Sequence, residues 1–215
     1  MTSYDHFIRL LVLIGFLIGG LLLTTLVSGL LMLASGMSLA DIMKMAQSGM
    51  GALSPGLTRG LLATQHLLIF ILPGLLFGLV FYQGKFLNGL NLDVHPGWQL
   101  SILGIFFLMA AYPLVNLSFL ANESIPLPAW ADKFESQAED TLKAILTMNT
   151  PVIFIFNLII IAILPGIGEE LIFRGILQKH IGLLFKSPVA AIWISAFIFS
   201  AIHLQFEGFL PRMAL

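Results

Sequence analysis

Long apolar stretches separated by short polar connections dominate the pattern of this chain. A helix needs about 20 apolar residues to cross a hydrocarbon core of about 30 Å. Five stretches reach or approach that length, at residues 7–34, 61–81, 98–120, 152–184 and 189–204. The alternation that barrel strands require is absent, and backbone groups cannot stay unpaired in lipid. The pattern therefore predicts an all-α fold, a polytopic transmembrane helix bundle in which residues 1–215 form a single membrane domain.

The composition is typical of a multi-pass integral membrane protein and excludes several other classes. Of the 215 residues, 58% are hydrophobic and 10% are charged, which is too little polar surface for a soluble domain of this size. The net charge is −1 without a basic run, so no nucleic-acid partner is predicted. The absence of cysteine removes disulfides and thiolate metal sites. Residues 7–34 are too long for the apolar region of a signal peptide, so they are predicted to be the first span.

The polar connections contain two amphipathic segments that are predicted to lie at the membrane surface. The first, within residues 35–60, begins near Ser38 or Asp41, either of which can cap a helix. The second, within residues 121–150, combines the main charge cluster with an apolar side and places Trp130 at headgroup level. Lys and Arg number roughly five against four on the two sides, so the membrane orientation is not predicted.

Three ionisable residues, Glu169, Glu170 and Arg174, stand inside the apolar run ILPGIGEELIFRGIL. A charge at the centre of a membrane costs about 2.5–3.5 kcal/mol, and such residues mark candidate functional sites. On a helix, Glu170 and Arg174 are four residues apart and can form an ion pair. Glu169 is offset by about 100° and lacks that partner. We therefore predict that Glu169 is free for chemistry, in a desolvated setting that suits a general base or acid.

Pro165 and Gly166 stand shortly before this charged group. Proline removes a backbone donor and glycine tolerates unusual dihedral angles, so the two residues predict a break in the apolar run. A new helical stretch would then begin near Gly168. Both glutamates would lie in its first turn, where the helix dipole favours negative charge.

A lone histidine, His203, closes the next apolar segment, in the run WISAFIFSAIH. Phe199 precedes it by four residues and would share its face of a helix. A single histidine at a helix end is usually a packing residue, and His66, near the start of the second span, is predicted to lie at the membrane interface. The combination of His203 with the two glutamates instead predicts a catalytic site within the membrane.

The runs GEELIFRG and FSAIH resemble the signature of the CAAX-protease and bacteriocin-processing family, also called CPBP or Abi proteins. That signature combines EExxxR on one transmembrane helix with FxxxH on the next. The matching residues are Glu169, Glu170, Arg174, Phe199 and His203. The resemblance rests on residues 150–215, and the family's third motif, often HxxxN, has no counterpart after the FSAIH run. We expect that motif to lie beyond a C-terminal truncation; an inactive copy is the alternative.

The resemblance implies an intramembrane endopeptidase that hydrolyses peptide bonds of membrane-associated or prenylated-type substrates with an activated water. Glu169, Glu170 and His203 form the implied catalytic set. Glu169 would be the general base together with His203, while Arg174 would hold Glu170 in place. The implied partners are membrane lipid and a membrane-embedded peptide or protein substrate.

A divalent metal such as zinc stays open as a cofactor, because the family is commonly classed as metalloprotease-like. Glu169 and His203 are the candidate ligands. The chain has no HExxH motif, and a single histidine in position is short of the three protein ligands of a catalytic zinc site. An acid–base scheme with a glutamate and a histidine accounts for the same residues.

Two other functions stay open from the residues alone. A transporter or proton-coupled carrier would use buried Glu, Arg and His side chains as a relay beside a broken helix. The absence of an internal repeat weighs against that function. A non-catalytic membrane scaffold or immunity protein would keep the fold without the chemistry.

Overall fold

The structure, a computed structural model, describes residues 2–90, 93 and 97–214, and the regular elements within them are all helical. The helices are α1 (Ser3–Ala34), α2 (Leu39–Ser48), α3 (Pro55–Tyr82), α4 (Gly97–Glu123), α5 (Ala129–Leu146), α6 (Pro151–Phe185), α7 (Pro188–Ile202) and α8 (Phe209–Ala214). Shorter helical turns occupy Met50–Ala52, Gln83–Lys85 and Phe86–Gly89. Of these helices, α1, α3, α4 and α6 are long and apolar enough to span a membrane, and α7 is a shorter apolar helix. The predicted all-α, polytopic bundle is confirmed.

Helices also form in both connections that the sequence predicts to be amphipathic. Ser38 caps α2 through a capping box, in which its backbone N–H donates to the Asp41 carboxylate at 3.0 Å and the Asp41 backbone N–H donates to the Ser38 hydroxyl at 3.2 Å. The Ser38 hydroxyl also donates to that carboxylate and lowers the pKa of Asp41. In the second connection, α5 packs against the start of α3 and leaves the side chain of Trp130 exposed.

The predicted break at Pro165 and Gly166 is wrong, because α6 runs through both residues without interruption. A π-helical segment, Ile159–Ile163, comes just before the proline. A wider π turn re-satisfies the backbone groups that a proline frees, so the helix continues. The same arrangement occurs in α3, where a π segment at Leu67–Ile71 precedes Pro73.

The two glutamates therefore lie in the interior of a helix. Neither Glu169 nor Glu170 is in a first turn, so a helix dipole does not stabilise their charges. A further π segment, Glu170–Gln178, begins at the second glutamate. Segments of this kind within helices are frequent at functional sites. The carboxylates must instead be accommodated by other side chains and by open space beside α6.

The apolar core lies where α1, α3 and α6 meet. Its buried residues are Leu13, Phe70, Phe77, Leu90, Leu171, Ile172, Phe173 and Ile176. α1 packs along the π segment of α3 and along the C-terminal end of α6. Gly74 of α3 lies directly against the side chain of Leu171. Small residues of this kind let membrane helices approach closely, which is how α3 comes to lie beside the charged part of α6.

Two polar clusters tie the bundle together towards the opposite ends of α3. Near its start, Arg59 donates to Asn157 Oδ1 of α6 at 2.7 Å and to the Ile145 carbonyl of α5 at 3.0 Å. Near its end, His6 Nδ1 of α1 lies 3.0 Å from His180 Nδ1 of α6. These contacts fix α3 alongside α6 and hold the surface helix α5 over the Arg59 end.

Candidate active site

The α6–α7 hairpin brings one glutamate and the histidine of the sequence-predicted site together. Lys186, in the left-handed region with φ 54°, ends α6 and lets the chain turn back into α7. As a result, Glu169 Oε1 lies 3.9 Å from His203 Nε2. The side chain of Glu169 is 19% exposed and that of His203 is 25% exposed. The two residues form a shielded carboxylate–imidazole pair that still reaches open space.

Phe199 fixes the orientation of His203. The Nδ1 atom of His203 lies 2.7 Å from the carbonyl oxygen of Phe199, which can only accept a hydrogen bond. Nδ1 therefore carries a proton, and Nε2 of the neutral ring presents a lone pair towards Glu169. The Phe199 ring also packs against His203, with centroids 4.8 Å apart. Two acceptors 3.9 Å apart cannot bond to each other but are suited to share one water molecule.

Glu170 and Arg174 form the ion pair expected from their spacing, with Arg174 Nη1 2.8 Å from Glu170 Oε1. The pair is not buried, however, because the side chain of Glu170 is 55% exposed and that of Arg174 is 63% exposed. Both residues line the lateral cavity beside Glu169. Surface pairs of this kind contribute little to stability. The pair places a carboxylate and a guanidinium on the wall of the lateral cavity, next to Glu169.

Two cavities meet at this site. The surface cavity, of about 920 Å³, lies below α5, is bounded by α3 and α6, and reaches Glu169 and His203. The lateral cavity, of about 580 Å³, lies between α4, α6, α7 and α8, and apolar and aromatic residues such as Trp193 line it together with the charged Glu170 and Arg174. Glu169 and Arg212 line both cavities. The carboxylate that the sequence marks for chemistry therefore stands where the two cavities adjoin.

His66 belongs to this site, which the sequence analysis did not predict. Its ring lines the surface cavity together with Glu169 and lies close enough to His203 for the two to interact electrostatically. Nδ1 of His66 is buried without a hydrogen-bond partner among the described residues. The ring stacks on Phe70, with centroids 5.9 Å apart. No spacing in the sequence links His66 to the glutamates, because only the packing of α3 on α6 joins them.

Arg212 is the second residue of the site that the sequence analysis missed. It is half-buried in α8, where it lines both cavities. The available signal was a single cation in the otherwise apolar run GFLPRMAL. An isolated charge of that kind marks a candidate functional residue in a membrane protein.

Three acidic residues line the surface cavity besides Glu169, namely Glu135 and Glu139 of α5 and Glu207. The backbone N–H of Glu207 donates to Glu135 Oε1 at 3.0 Å, which joins α5 to the segment before α8. Burial and the nearby charge of Glu135 raise the pKa of Glu207.

The donors at the site do not make a complete set for catalytic zinc. Glu169 and His203 supply one oxygen and one nitrogen, whereas catalytic zinc sites use three protein ligands. Within residues 2–90, 93 and 97–214, no group of three His, Asp or Glu side chains is arranged to hold a metal ion. The chemistry derived below uses the carboxylate and the imidazole alone.

Comparison with known proteins identifies the region that carries this site. Residues 151–215 match the family described as type II CAAX prenyl endopeptidase, Rce1-like. This match covers α6, α7 and α8 and contains both the EExxxR and the FxxxH runs. It confirms the family resemblance inferred from those motifs. No curated protein and no solved structure matches the chain.

Proposed function

We propose that the protein is an intramembrane endopeptidase of the CAAX type. The match of residues 151–215 to the Rce1-like family supports this proposal. Its substrates would be membrane-embedded or prenylated-type peptides and proteins, reached from the lipid. The observation that carries this proposal is the Glu169–His203 pair at the junction of the two cavities. Such a pair, shielded but open to water on one side, suits general-base activation of water.

The proposed reaction uses one water molecule between Glu169 and His203. The Glu169 carboxylate takes a proton from that water while Nε2 of His203 accepts its second hydrogen in a hydrogen bond. The water oxygen attacks the scissile carbonyl carbon, and the carbonyl oxygen takes up the negative charge. When the carbon–nitrogen bond breaks, Glu169 returns the proton to the leaving amine, so the carboxylate is regenerated. Phe199 supports this step by holding the proton of His203 on Nδ1.

The two cavities give substrate and water separate routes to the same carboxylate. Phe173, Trp193 and Phe199 form an aromatic part of the lateral cavity, which lies beside α4, and this part suits an apolar substrate segment or a prenyl group arriving from the lipid. The surface cavity is lined in part by polar side chains of α5 and suits the entry of water. Among the described residues, Glu169 and Arg212 line both cavities, and Glu169 is the carboxylic acid of the two.

A cleavage assay in proteoliposomes tests the proposal. The purified protein should release the fluorophore from a quenched, farnesylated peptide at a rate proportional to the amount of protein. We expect EDTA to leave the rate unchanged, because the scheme requires only the carboxylate and the imidazole. Measurement of solute or proton uptake in the same vesicles serves as the comparison. Uptake without cleavage would contradict the proposed endopeptidase activity and favour a carrier. The carrier hypothesis relied on a broken helix beside the charged residues, whereas α6 is continuous.

Gly168 provides a second prediction, because it is where α3 passes against the catalytic helix. A Cβ added at Gly168 would lie 2.8 Å from Phe70 Cβ and 3.2 Å from Ile71 Cγ1, so α3 must shift. A displacement of about 1 Å in a catalytic constellation can cost about 10²-fold in rate. We expect Gly168→Ala to lower kcat by at least about tenfold. Gly175→Ala is the control on the same helix, since its nearest contact would be at 3.7 Å, and equal rates for both variants would contradict the prediction.

A further inference from the structure

Two cations of the bundle lie beside one aromatic ring at the C-terminal end of α3. Arg9 Cζ of α1 is 5.8 Å from the centroid of the Tyr82 ring, and Lys179 Nζ of α6 is 5.2 Å from the same centroid. The two charges are close enough to repel each other. We propose that Arg9 and Lys179 together bind the phosphate of an anionic phospholipid beside Tyr82.

This lipid site is separate from the proposed active site. Tyr82 ends α3, and at a rise of about 1.5 Å per residue it lies about 24 Å along that helix from His66. His66 is the residue of α3 that lines the surface cavity together with Glu169. Lipid binding beside Tyr82 therefore does not depend on the proposed endopeptidase activity.

Neither cation has an acidic partner. Among the residues that the structure describes, no ion pair involves Arg9 or Lys179. Asp5, the acidic residue one turn before Arg9 in α1, instead accepts a hydrogen bond from the backbone N–H of Thr2 at 2.6 Å. Lys179 Nζ donates to the carbonyl oxygen of Gly89 at 2.6 Å, and this neutral acceptor leaves its charge uncompensated. Two like charges in a medium of low dielectric constant raise the free energy, which a shared anion would lower.

The surrounding side chains hold this arrangement in place before a ligand binds. The Tyr82 hydroxyl lies 3.4 Å from Nε2 of the buried His180, whose Nδ1 lies 3.0 Å from His6 Nδ1. Arg9 also lies over the Phe81 ring, with its Cζ 4.7 Å from the centroid. Groups that are already positioned bind a ligand at a lower cost in conformational entropy.

The position of the two cations indicates a lipid headgroup as the source of the phosphate. Tyrosine is enriched where a membrane meets water, and Tyr82 is the last residue of a membrane-spanning helix. Leu79 and Val80, about one turn nearer the middle of α3, have exposed side chains. Acyl chains would cover this apolar surface while the phosphate contacts the cations. Basic pockets between transmembrane helices bind anionic headgroups in this manner.

Lipid selectivity of the purified protein in detergent micelles tests the inference. The measurement is the dissociation constant of dioleoylphosphatidylglycerol and of dioleoylphosphatidylcholine by native mass spectrometry. We expect the wild type to bind the anionic lipid about 10–30-fold more tightly, the scale for two cations at a membrane surface. The double variant Arg9→Gln/Lys179→Gln should bind the two lipids with affinities within about threefold of each other. Arg9→Lys keeps the charge and should keep most of the selectivity.

The double variant Lys133→Gln/Lys143→Gln is the matched control, because it removes two cations from α5 at the opposite end of α3. It should retain the wild-type selectivity, and an equal loss in this control would overturn the inference. Equal binding of the two lipids by the wild type would do the same. If Arg9→Gln/Lys179→Gln does not fold, the two single variants replace it, and unchanged selectivity in both would contradict the proposed site.

Inorganic phosphate separates a lipid site from a site for a free anion. Because the acyl chains of the lipid also contact the protein, an excess of inorganic phosphate should leave dioleoylphosphatidylglycerol bound to the wild type. Displacement of the lipid by inorganic phosphate at low millimolar concentration would assign the two cations to a soluble anion and overturn the inference.

Discussion

Replacement of Glu169 by glutamine is expected to lower the rate of peptide cleavage by about 10²–10⁴-fold, the usual contribution of a general base. Glutamine has the shape of glutamate but cannot take a proton from water. The variant should keep its fold, because the described contacts of Glu169 are its approach to His203 and the walls of the two cavities. The measurement is kcat in proteoliposomes, with the thermal stability of each purified protein recorded alongside.

Glu170→Gln is the matched control for this substitution. Glu170 is the neighbouring residue of the same type, but its carboxylate faces Arg174 and its side chain is 55% exposed. Glu170 lines the lateral cavity but not the surface cavity that contains His203. Its loss should change the rate only through the charge and the cavity wall beside Glu169, so we expect a much smaller effect than that of Glu169→Gln. A wild-type rate in Glu169→Gln would show that the base is wrongly assigned. A larger loss in Glu170→Gln would move that role to Glu170.

Local spacing accounts for the parts of the site that the sequence could predict. Glu170 and Arg174 are four residues apart, as are Phe199 and His203, and a π or α turn keeps each pair in contact. The approach of Glu169 to His203 required one further step, namely that two consecutive apolar helices pack antiparallel. These relations depend on helix geometry and chain connectivity, both of which can be read along the sequence.

The remaining features depend on contacts between distant segments, which spacing does not encode. Pro165 predicted a break, yet the preceding π segment absorbs the proline and α6 continues. His66 enters the site because Gly168 lets α3 pass against α6. Arg212 enters because Gln205 and the space at Gly208 hold its guanidinium. In each case a small change in local structure decides where the helix or side chain lies. Neither the hydrophobic periodicity nor a sequence motif predicts that change.

The contact between α1 and α3 at Gly20 gives the second prediction with a large effect. A Cβ at Gly20 would collide with the backbone carbonyl oxygen of Leu68 and would lie 3.1 Å from Pro73 Cγ. A backbone carbonyl cannot rotate away as a flexible side chain can. Gly20→Ala should therefore force the helices apart and lower the free energy of unfolding by about 1–3 kcal/mol, the usual cost of overpacking. The measurement is reversible unfolding in mixed micelles.

Gly19→Ala is the control for this experiment, because a Cβ at the adjacent position meets nothing within 4 Å. That variant should be as stable as the wild type or slightly more stable, since alanine favours a helix over glycine by about 0.5–1 kcal/mol. Equal stability of the two variants would show that α1 and α3 do not pack through Gly20. Leu68 lies in the same π segment as Ile71, which contacts Gly168 beside the proposed base. A displacement at Gly20 should therefore also lower the cleavage rate, whereas Gly19→Ala should leave that rate unchanged.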